Sequence, residues 1–355
     1  MKAKKKASAQ KKASAQKKAL IALVSVLSVV FVLLLSATIY VEWVLGRFYM
    51  DPSQEGTLSA EQIAALLQGE TLDPNVEAVD PDDIDLGNVN KVDVAEGVVN
   101  ILLVGQDRRV GEKGRTRTDT LIMVTINAKD KQVTLTSFMR DLYVQIPGYR
   151  KNRINAAYPL GGAELLFDTI ECNFGIRPDH FIEVDFSGFS KLVDLVGGLD
   201  MELTEKEAKH LNNNEKFYDF PDQDWNLKAG WNHLDGPQAL AFSRIRKIDA
   251  TGDFARTDRQ RRVVVELIEE AKDMNLMELH TLVLAASDII STDMSSKEIL
   301  SFVSDYYPLL SKMGEVATVQ IPSNDGFKTV AVEGVGSVLV PNLEKNSASI
   351  AEYQD

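Results

Sequence analysis

The longest apolar run in the chain is Ala19 to Val41, 23 consecutive uncharged residues dominated by Leu, Val and Ile. At ~1.5 Å rise per residue such a helix spans ~35 Å, enough for a ~30 Å hydrocarbon core. The run exceeds the ~7–15 apolar residues of a cleaved secretory signal, and it lacks the polar face of a buried soluble helix. The pattern predicts one transmembrane helix. From Val98 onward the apolar positions fall into shorter elements. Val98 to Val104 reads as a strand, and Asp119 to Asn127 with Gln132 to Phe138 as a hairpin around Ala128, Lys129 and Asp130. Pro159 to Phe174 has helical spacing, Phe181 to Phe186 is strand-like, and Phe189 to Val196 is a short helix ended by Gly197 and Gly198. Further helices are predicted over Gly236 to Arg246, Asp253 to Met274, Leu276 to Ser287 and Ser296 to Met313, then strands over Val316 to Ile321 and Thr329 to Val332. This mixture predicts an α/β fold, a three-layer αβα sandwich around a mixed sheet.

Charge changes the picture at the N-terminus. The first 18 residues hold eight lysines and no acid, including a twice-repeated KKASAQ, whereas the 23-residue apolar run is followed by Glu42, Trp43, Arg47 and Tyr49. The positive-inside rule predicts residues 1–18 in the cytoplasm and everything after residue 41 outside. Residues 42–97 are acidic and poor in aromatics: Asp51 to Gly97 has twelve acids and one base, Lys91. They read as an extracellular stalk, with one short helix capped by Ser59 and ended by Gly69. Residues 98–335 form the predicted folded domain, and 336–355 a frayed C-terminal tail. Beyond residue 18 the balance is 31 basic against 52 acidic residues, which argues against nucleic acid as a partner. The only cysteine, Cys172, excludes an intrachain disulfide and reads as a small core residue. The four histidines have no zinc-ligand spacing, and no Walker loop, GxSxG or GxGxxG occurs.

Arginine is unevenly placed: fourteen of fifteen lie between Arg108 and Arg262. Such a bias points to bidentate recognition of phosphate oxygens. Three clusters stand out. Asp107, Arg108 and Arg109 follow an apolar strand, with Arg117 and Asp119 opening the next; Arg140 and Asp141 end another strand, before Arg153; Arg244 and Arg246 precede Asp253, Arg256, Arg259 and Gln260. In open α/β folds ligands bind at strand ends, and acids beside arginines suit a Mg²⁺-pyrophosphate. On a helix from Asp253, Arg256, Arg259 and Gln260 make one face polar, and Val263, Val264, Leu267 and Ile268 are predicted to bury the other. Isolated arginines such as Arg109 or Arg115 read equally well as surface residues paired with local acids. Gln106, polar before Asp107, either tunes a metal site or faces solvent.

The segments NILLVGQDRR, RTDTLIMVTIN, SFMRDLYVQIPG, RINAAY, FIEVDFSGFSKLVDLVGGLDMEL, GPQALAFSRIR and GDFARTDRQR together closely resemble the LytR–CpsA–Psr family of Gram-positive cell-envelope proteins, over roughly Val98 to Asn275. The resemblance implies a phosphotransferase that moves a glycopolymer (teichoic acid, capsule or another wall polysaccharide) from a polyprenyl-pyrophosphate carrier to peptidoglycan. A pyrophosphatase on the same lipid, or a non-catalytic regulatory lipid binder, are the alternatives. Asp107 and Asp119 match the family's Mg²⁺-handling acids, and Arg140, Arg244 and Arg246 its pyrophosphate-binding arginines. Asp253, Arg256 and Gln260 match the polar face that completes the head-group site, and Arg108 and Arg153 fall on family arginines. The family's lipid tail lies in an apolar tunnel between sheet and helices, whose candidate lining here is Leu142, Val144, Phe181, Phe189, Leu192, Leu195 and Val196.

Overall fold

The computed structural model describes residues 35–36, 38–43, 46, 58–67, 77–108, 115–213, 225–310 and 312–355. Contacts divide the chain into residues 1–47 and 48–355, and the elements below belong to the second unit. Most of the Ala19–Val41 run, the lysine tail and Gly69 lie outside the described residues. Among those described, no helix is long and apolar enough to cross a membrane.

Ala60–Leu67 forms helix α1, opened as expected by Ser59, whose Oγ accepts from Gln62 N while Gln62 Oε1 accepts from Ser59 N. The sheet begins with Val98–Gln106 (β1), Thr118–Asn127 (β2) and Gln132–Phe138 (β3). Its first two turns of chain are antiparallel, Leu103 facing Ile122 and Val124 facing Leu135. The β2–β3 hairpin turns where predicted, with Asn127 Oδ1 accepting from Asp130 N. Tyr143–Val144 (β4) and Asn152–Arg153 (β5) form a short ladder before helix α2, Ala157–Phe174. His180–Asp185 (β6) returns parallel to β1. It leads directly into α3, Phe186–Val196, which Gly197 ends in the left-handed conformation at φ 101°.

Leu199–Leu203 (β7), Glu205–Asn212 (α4), Gly230–Leu234 (β8) and Gly236–Ser243 (α5) build a small lobe around Val193, Leu203, Leu211, Leu234 and Phe242. The chain continues through α6, Asp253–Asp273; α7, Leu276–Ala286; β9, Ile290–Thr292; α8, Ser296–Leu310; and β10, Ala317–Ile321. The six sheet strands run in the order β10-β3-β2-β1-β6-β9, with β10–β3 and β1–β6 parallel and the other pairs antiparallel. Helices pack on both faces. Leu102, Val104, Leu121 and Met123 meet Phe167, Ile170 and Phe174 of α2, while Ile122, Ile126 and Leu135 meet Val264 and Ile268 of α6 and Phe302 of α8. A sheet covered on both sides has no polar side to alternate with. That is why TLIMVTIN reads as an almost continuous apolar run rather than as period two.

Three expectations fail at the edges of the domain. Residues 336–355 are not a frayed tail: Phe327–Val332 (β11) pairs with Gly336–Pro341 (β12), and Leu343–Ala351 forms α9. Leu343 and Ile350, seven residues apart on one helix face, are buried, and Gln354 is 0 % exposed with its Oε1 accepting from Asn100 Nδ2. Nor is the acidic segment wholly a solvated stalk. Ile84 and Val92 are buried, Val79 N donates to Ala331 O, and Val92 N donates to Gly175 O; these apolar residues are too irregularly spaced to signal an element. Cys172 is exposed, not in the core.

Candidate functional site

At the C-terminal end of β1 the sheet opens onto a cavity of about 300 Å³. Its floor is the sheet face formed by Leu103 and Gly105 of β1, Thr120 and Ile122 of β2, Ile182 and Val184 of β6, and Ile290 of β9. Register decides this face: Gly105 pairs with Thr120 and with Val184, and Val184 with Ile290. A Cβ at Gly105 would lie 2.9 Å from the Thr120 Cβ, so only glycine permits this approach. The walls are Phe186, Phe189 and Leu192 of α3, Leu240 and Ser243 of α5, and Val263, Val264 and Leu267 of α6.

Helix α6 carries the polarity of the cavity along its axis. Arg256, Gln260, Val263, Val264 and Leu267 all line it, which at ~100° per residue is one stripe of the helix. The stripe is cationic at its first turn and apolar ~16 Å further on. This corrects the expectation of a polar face opposite an apolar one. Arg259 points the other way, into a buried pair with Glu207 at 2.7 Å, where Arg262 also approaches at 3.3 Å.

The mouth is a network of arginines around two carboxylates. Arg140 Nη1 lies 2.5 Å from Asp119 Oδ1, and its Nε 3.1 Å from Asp253 Oδ2. Asp253, first residue of α6, also holds Arg246 Nε at 3.0 Å and Arg256 Nη2 at 3.0 Å. Arg256 Nη1 is 3.9 Å from Asp119 Oδ2. Burial works against the Arg140 charge, but Asp119, Asp253 and Asp141 together raise its pKa above the ordinary value. For Arg256 the balance is reversed: burial first, then the Arg140 charge, lower its pKa against the pull of Asp119 and Asp253. Its Nε is buried and makes no hydrogen bond among the described residues. A guanidinium that is 7 % exposed and incompletely compensated favours an anion beside it.

Helix α5 ends at Ser243, three residues before the predicted Arg246, and Arg244 is its C-cap. On a continued helix the side chains of Arg244 and Arg246 would diverge by ~200°. Past the end they converge on the mouth: Arg244 lines the cavity with its guanidinium 4.4 Å over the Phe186 ring, and Arg246 reaches Asp253. Asp107 is exposed directly after β1, one residue beyond Gln106, which pairs with Thr118 beside Asp119. Among the described residues no group of three or more His, Cys, Asp or Glu is arranged to hold a metal. Gln106 does not face solvent: it is 1 % exposed, and its Oε1 accepts from Thr116 N and Oγ1.

The expected site residues thus separate. Asp119, Arg244, Arg256 and Gln260 line the cavity, with Arg140, Arg246 and Asp253 tied to them. Arg108 lies at the β1 end, 3.3 Å from Asp185. Arg153 does not line the cavity but joins its network through Asp141, 3.4 Å from Oδ1 of a carboxylate whose Oδ2 is 3.7 Å from Arg140 Nε, and it donates to Ser337 O. Of the expected lipid lining, Phe189 and Leu192 line the cavity, but Leu142, Val144 and Phe181 do not. These three are buried in the core on the opposite sheet face, against α2, because Phe181 and Ile182 necessarily point to opposite sides of β6. Leu195 is 44 % exposed, and Val196 packs on the small lobe. Sequence reading missed Asp185, Phe186, Leu240 and Ser243. The motif segment FIEVDFSGF and the α5 segment contained them, but no periodicity tells which face meets a cavity.

A model of the LytR_cpsA_psr family matches residues 68–350. Over 219 residues the chain is 36% identical to the polyisoprenyl-teichoic acid–peptidoglycan teichoic acid transferase TagU of Enterococcus faecalis strain V583, covering 60% of this chain and 67% of TagU. It is 30% identical over 263 residues to the regulatory protein MsrR of Staphylococcus aureus strain COL, covering 73% and 75%. Its fold is similar to that of the LytR-CPS2A-psr family protein TagT with bound octaprenyl pyrophosphate lipid, with a TM-score of 0.55 at 22% identity over 75% of this chain and 94% of TagT.

Proposed function

The chain belongs to the LytR–CpsA–Psr family, and on that premise we propose that it transfers a wall glycopolymer from a polyprenyl-pyrophosphate carrier to peptidoglycan on the outer side of the membrane. One observation carries the reading: an apolar cavity whose stripe on α6 runs from Leu267 to Arg256. A prenyl diphosphate has the same gradient, an apolar tail ending in concentrated negative charge. Apolar burial at ~25 cal/mol per Å² holds the tail, and the arginines hold the head.

In this reading Arg244 and Arg256 bind the diphosphate, with Gln260 beside them, and Arg140 and Arg246 complete the positive field. Asp253 is an organiser that keeps three guanidinium groups in place. A muramoyl hydroxyl oxygen bonds to the glycan-side phosphorus. The bridging P–O bond breaks, the hydroxyl proton is lost, and polyprenyl phosphate leaves with the electron pair. Negative charge grows on the departing phosphate oxygens, where fixed guanidinium groups stabilise it without reorganisation. Asp107 and Asp119, two hard oxygen donors at one end of a strand pair, suit Mg²⁺, which takes one or two carboxylates plus phosphate oxygens and keeps several waters. Mg²⁺, when bound, would neutralise part of the diphosphate charge. The lysine tail and the uncharged run support a single-pass anchor with the N-terminus in the cytoplasm.

The test incubates purified protein with lipid-linked polymer, Mg²⁺ and peptidoglycan. Transfer releases polyprenyl phosphate and makes the polymer sediment with peptidoglycan. Release that does not need peptidoglycan identifies a pyrophosphatase. Binding without release supports a regulatory role, the sense of the name MsrR carries.

A further inference from the structure

The sheet face opposite the cavity holds a buried carboxylate that the reaction above does not use. Glu183 lies within β6 between Ile182 and Val184, which line the cavity. It therefore points the other way, as Phe181 does, and it is 2 % exposed. The hydroxyl of Tyr158, on α2 and 1 % exposed, donates to Glu183 Oε2. The other oxygen, Oε1, is 3.6 Å from Arg108 Nη2.

Arg108 is anchored twice by the neighbouring strand, by Glu183 and by Asp185 Oδ2 at 3.3 Å. Asp185 has a second duty, since its Oδ1 accepts from Gly188 N to cap α3. Register explains the reach: Gln106 pairs with Asp185, so Arg108, two residues on, bends back over the end of β6. Both contacts use Nη2, and among the described residues Nε and Nη1 make no hydrogen bond, so their donors can meet phosphate oxygens. A carboxylate this deep costs several kcal/mol to desolvate unless it is paired, and an apolar residue would pack there without that cost.

We propose that Glu183, steadied by Tyr158, is a positioning residue that presets Arg108 for the phosphate of the incoming lipid diphosphate. The proposal rests on the site reading given above, with Arg108 held 3.3 Å from Asp185, which lines the cavity. Without Glu183 the arginine keeps one anchor, Asp185, and regains side-chain freedom that binding must then remove.

The measurement is affinity of the full chain in detergent for geranylgeranyl diphosphate, with Arg108→Ala, Glu183→Gln, Tyr158→Phe, the double variant Glu183→Gln/Arg108→Ala, and Arg244→Ala as a site control. Arg108→Ala is expected to weaken binding about tenfold, Glu183→Gln nearly as much, and the double variant no further than Arg108→Ala alone, the coupling expected of residues acting as one unit. Tyr158→Phe, which keeps the ring and its packing, should shift affinity in the same direction by a smaller factor. A merely structural Glu183 would lower the melting temperature and leave the coupling at zero. Additive losses, or wild-type affinity in both Glu183→Gln and Tyr158→Phe while Arg244→Ala binds weakly, would overturn the positioning role alone. Wild-type affinity in Arg244→Ala and Arg108→Ala would overturn the site reading and this proposal with it.

Discussion

Asp253 Oδ2 receives Arg140 Nε at 3.1 Å across a sequence separation of 113 residues. The contact joins the end of β3 to the start of α6, and so ties the sheet to the helix that carries the cavity stripe. Replacing Asp253 by Asn should release Arg140, Arg246 and Arg256 against one another. Breaking such a partly buried network costs about 3 kcal/mol, read as a lower urea midpoint. Transfer should fall more than in Arg246→Ala, because Arg246 is half exposed and only one of three cations is lost. Equal activity in the two variants would deny Asp253 its organising role.

Arg244→Ala removes a guanidinium that lines the cavity and stacks on Phe186. The expected loss of transfer is on the order of 10²–10³-fold, the usual cost of one fixed charge-stabilising donor. The melting temperature should change little, since the residue lies past the end of α5. A folded variant with normal turnover would remove Arg244 from the site.

Asp107→Asn and Asp119→Asn should both raise the Mg²⁺ needed for activity, but differently. Asp107 is exposed, and excess Mg²⁺ should largely restore its Asn variant. Asp119 also pairs with Arg140 at 2.5 Å, so its variant displaces an arginine that added metal cannot return. Activity that stays low and flat for both across a wide Mg²⁺ range would leave the two acids as arginine partners only.

Leu192→Trp and Phe181→Ala test which sheet face takes the lipid. The first should block the cavity, abolishing prenyl diphosphate binding with little loss of stability. The second empties a site in the opposite core and should cost ~3–5 kcal/mol, with lipid affinity of the folded fraction unchanged. The reverse pattern would place the tail on the α2 face.

Glu207 bears on pH stability. Burial raises its pKa, but the Thr204 amide, Arg259 and Arg262 outweigh it, and the net shift is downward. A carboxyl depressed in the folded state adds stability that is present above its unfolded pKa and lost as pH falls through the folded value. Acid unfolding of Glu207→Gln should therefore be less steep than wild type below the ordinary Glu range. Parallel curves would show that Glu207 contributes nothing to acid lability.

Cysteine placed at Ser53 should react with a membrane-impermeant reagent in intact cells, and cysteine at Ser8 should not. Labelling at Ser8 would reverse the proposed orientation.

Strands β1, β2, β3, β6, β10 and β11, the hairpin at Asp130, the α6 span and the clustering of arginine were legible in the chain, because each depends on local periodicity or composition. The end of α5 was not: periodicity carried the helix to Arg246, whereas α5 ends at Ser243 and frees Arg244 and Arg246, two positions apart, to converge. What local pattern could not decide was side. In a sheet packed on both faces apolar residues fall on both sides of a strand, so nothing in FIEV tells that Ile182 meets the cavity and Phe181 the core. The same blindness hid α9, whose apolar residues Leu343 and Ile350 acquire meaning only against α2. It also hid the division of labour among the arginines. Arg256 and Arg259 lie three residues apart on one helix, yet one borders the cavity and the other is buried against Glu207. Only the placement of β6, α4 and the small lobe around α6 separates them, since a charge takes its role from the partners that tertiary packing brings within reach.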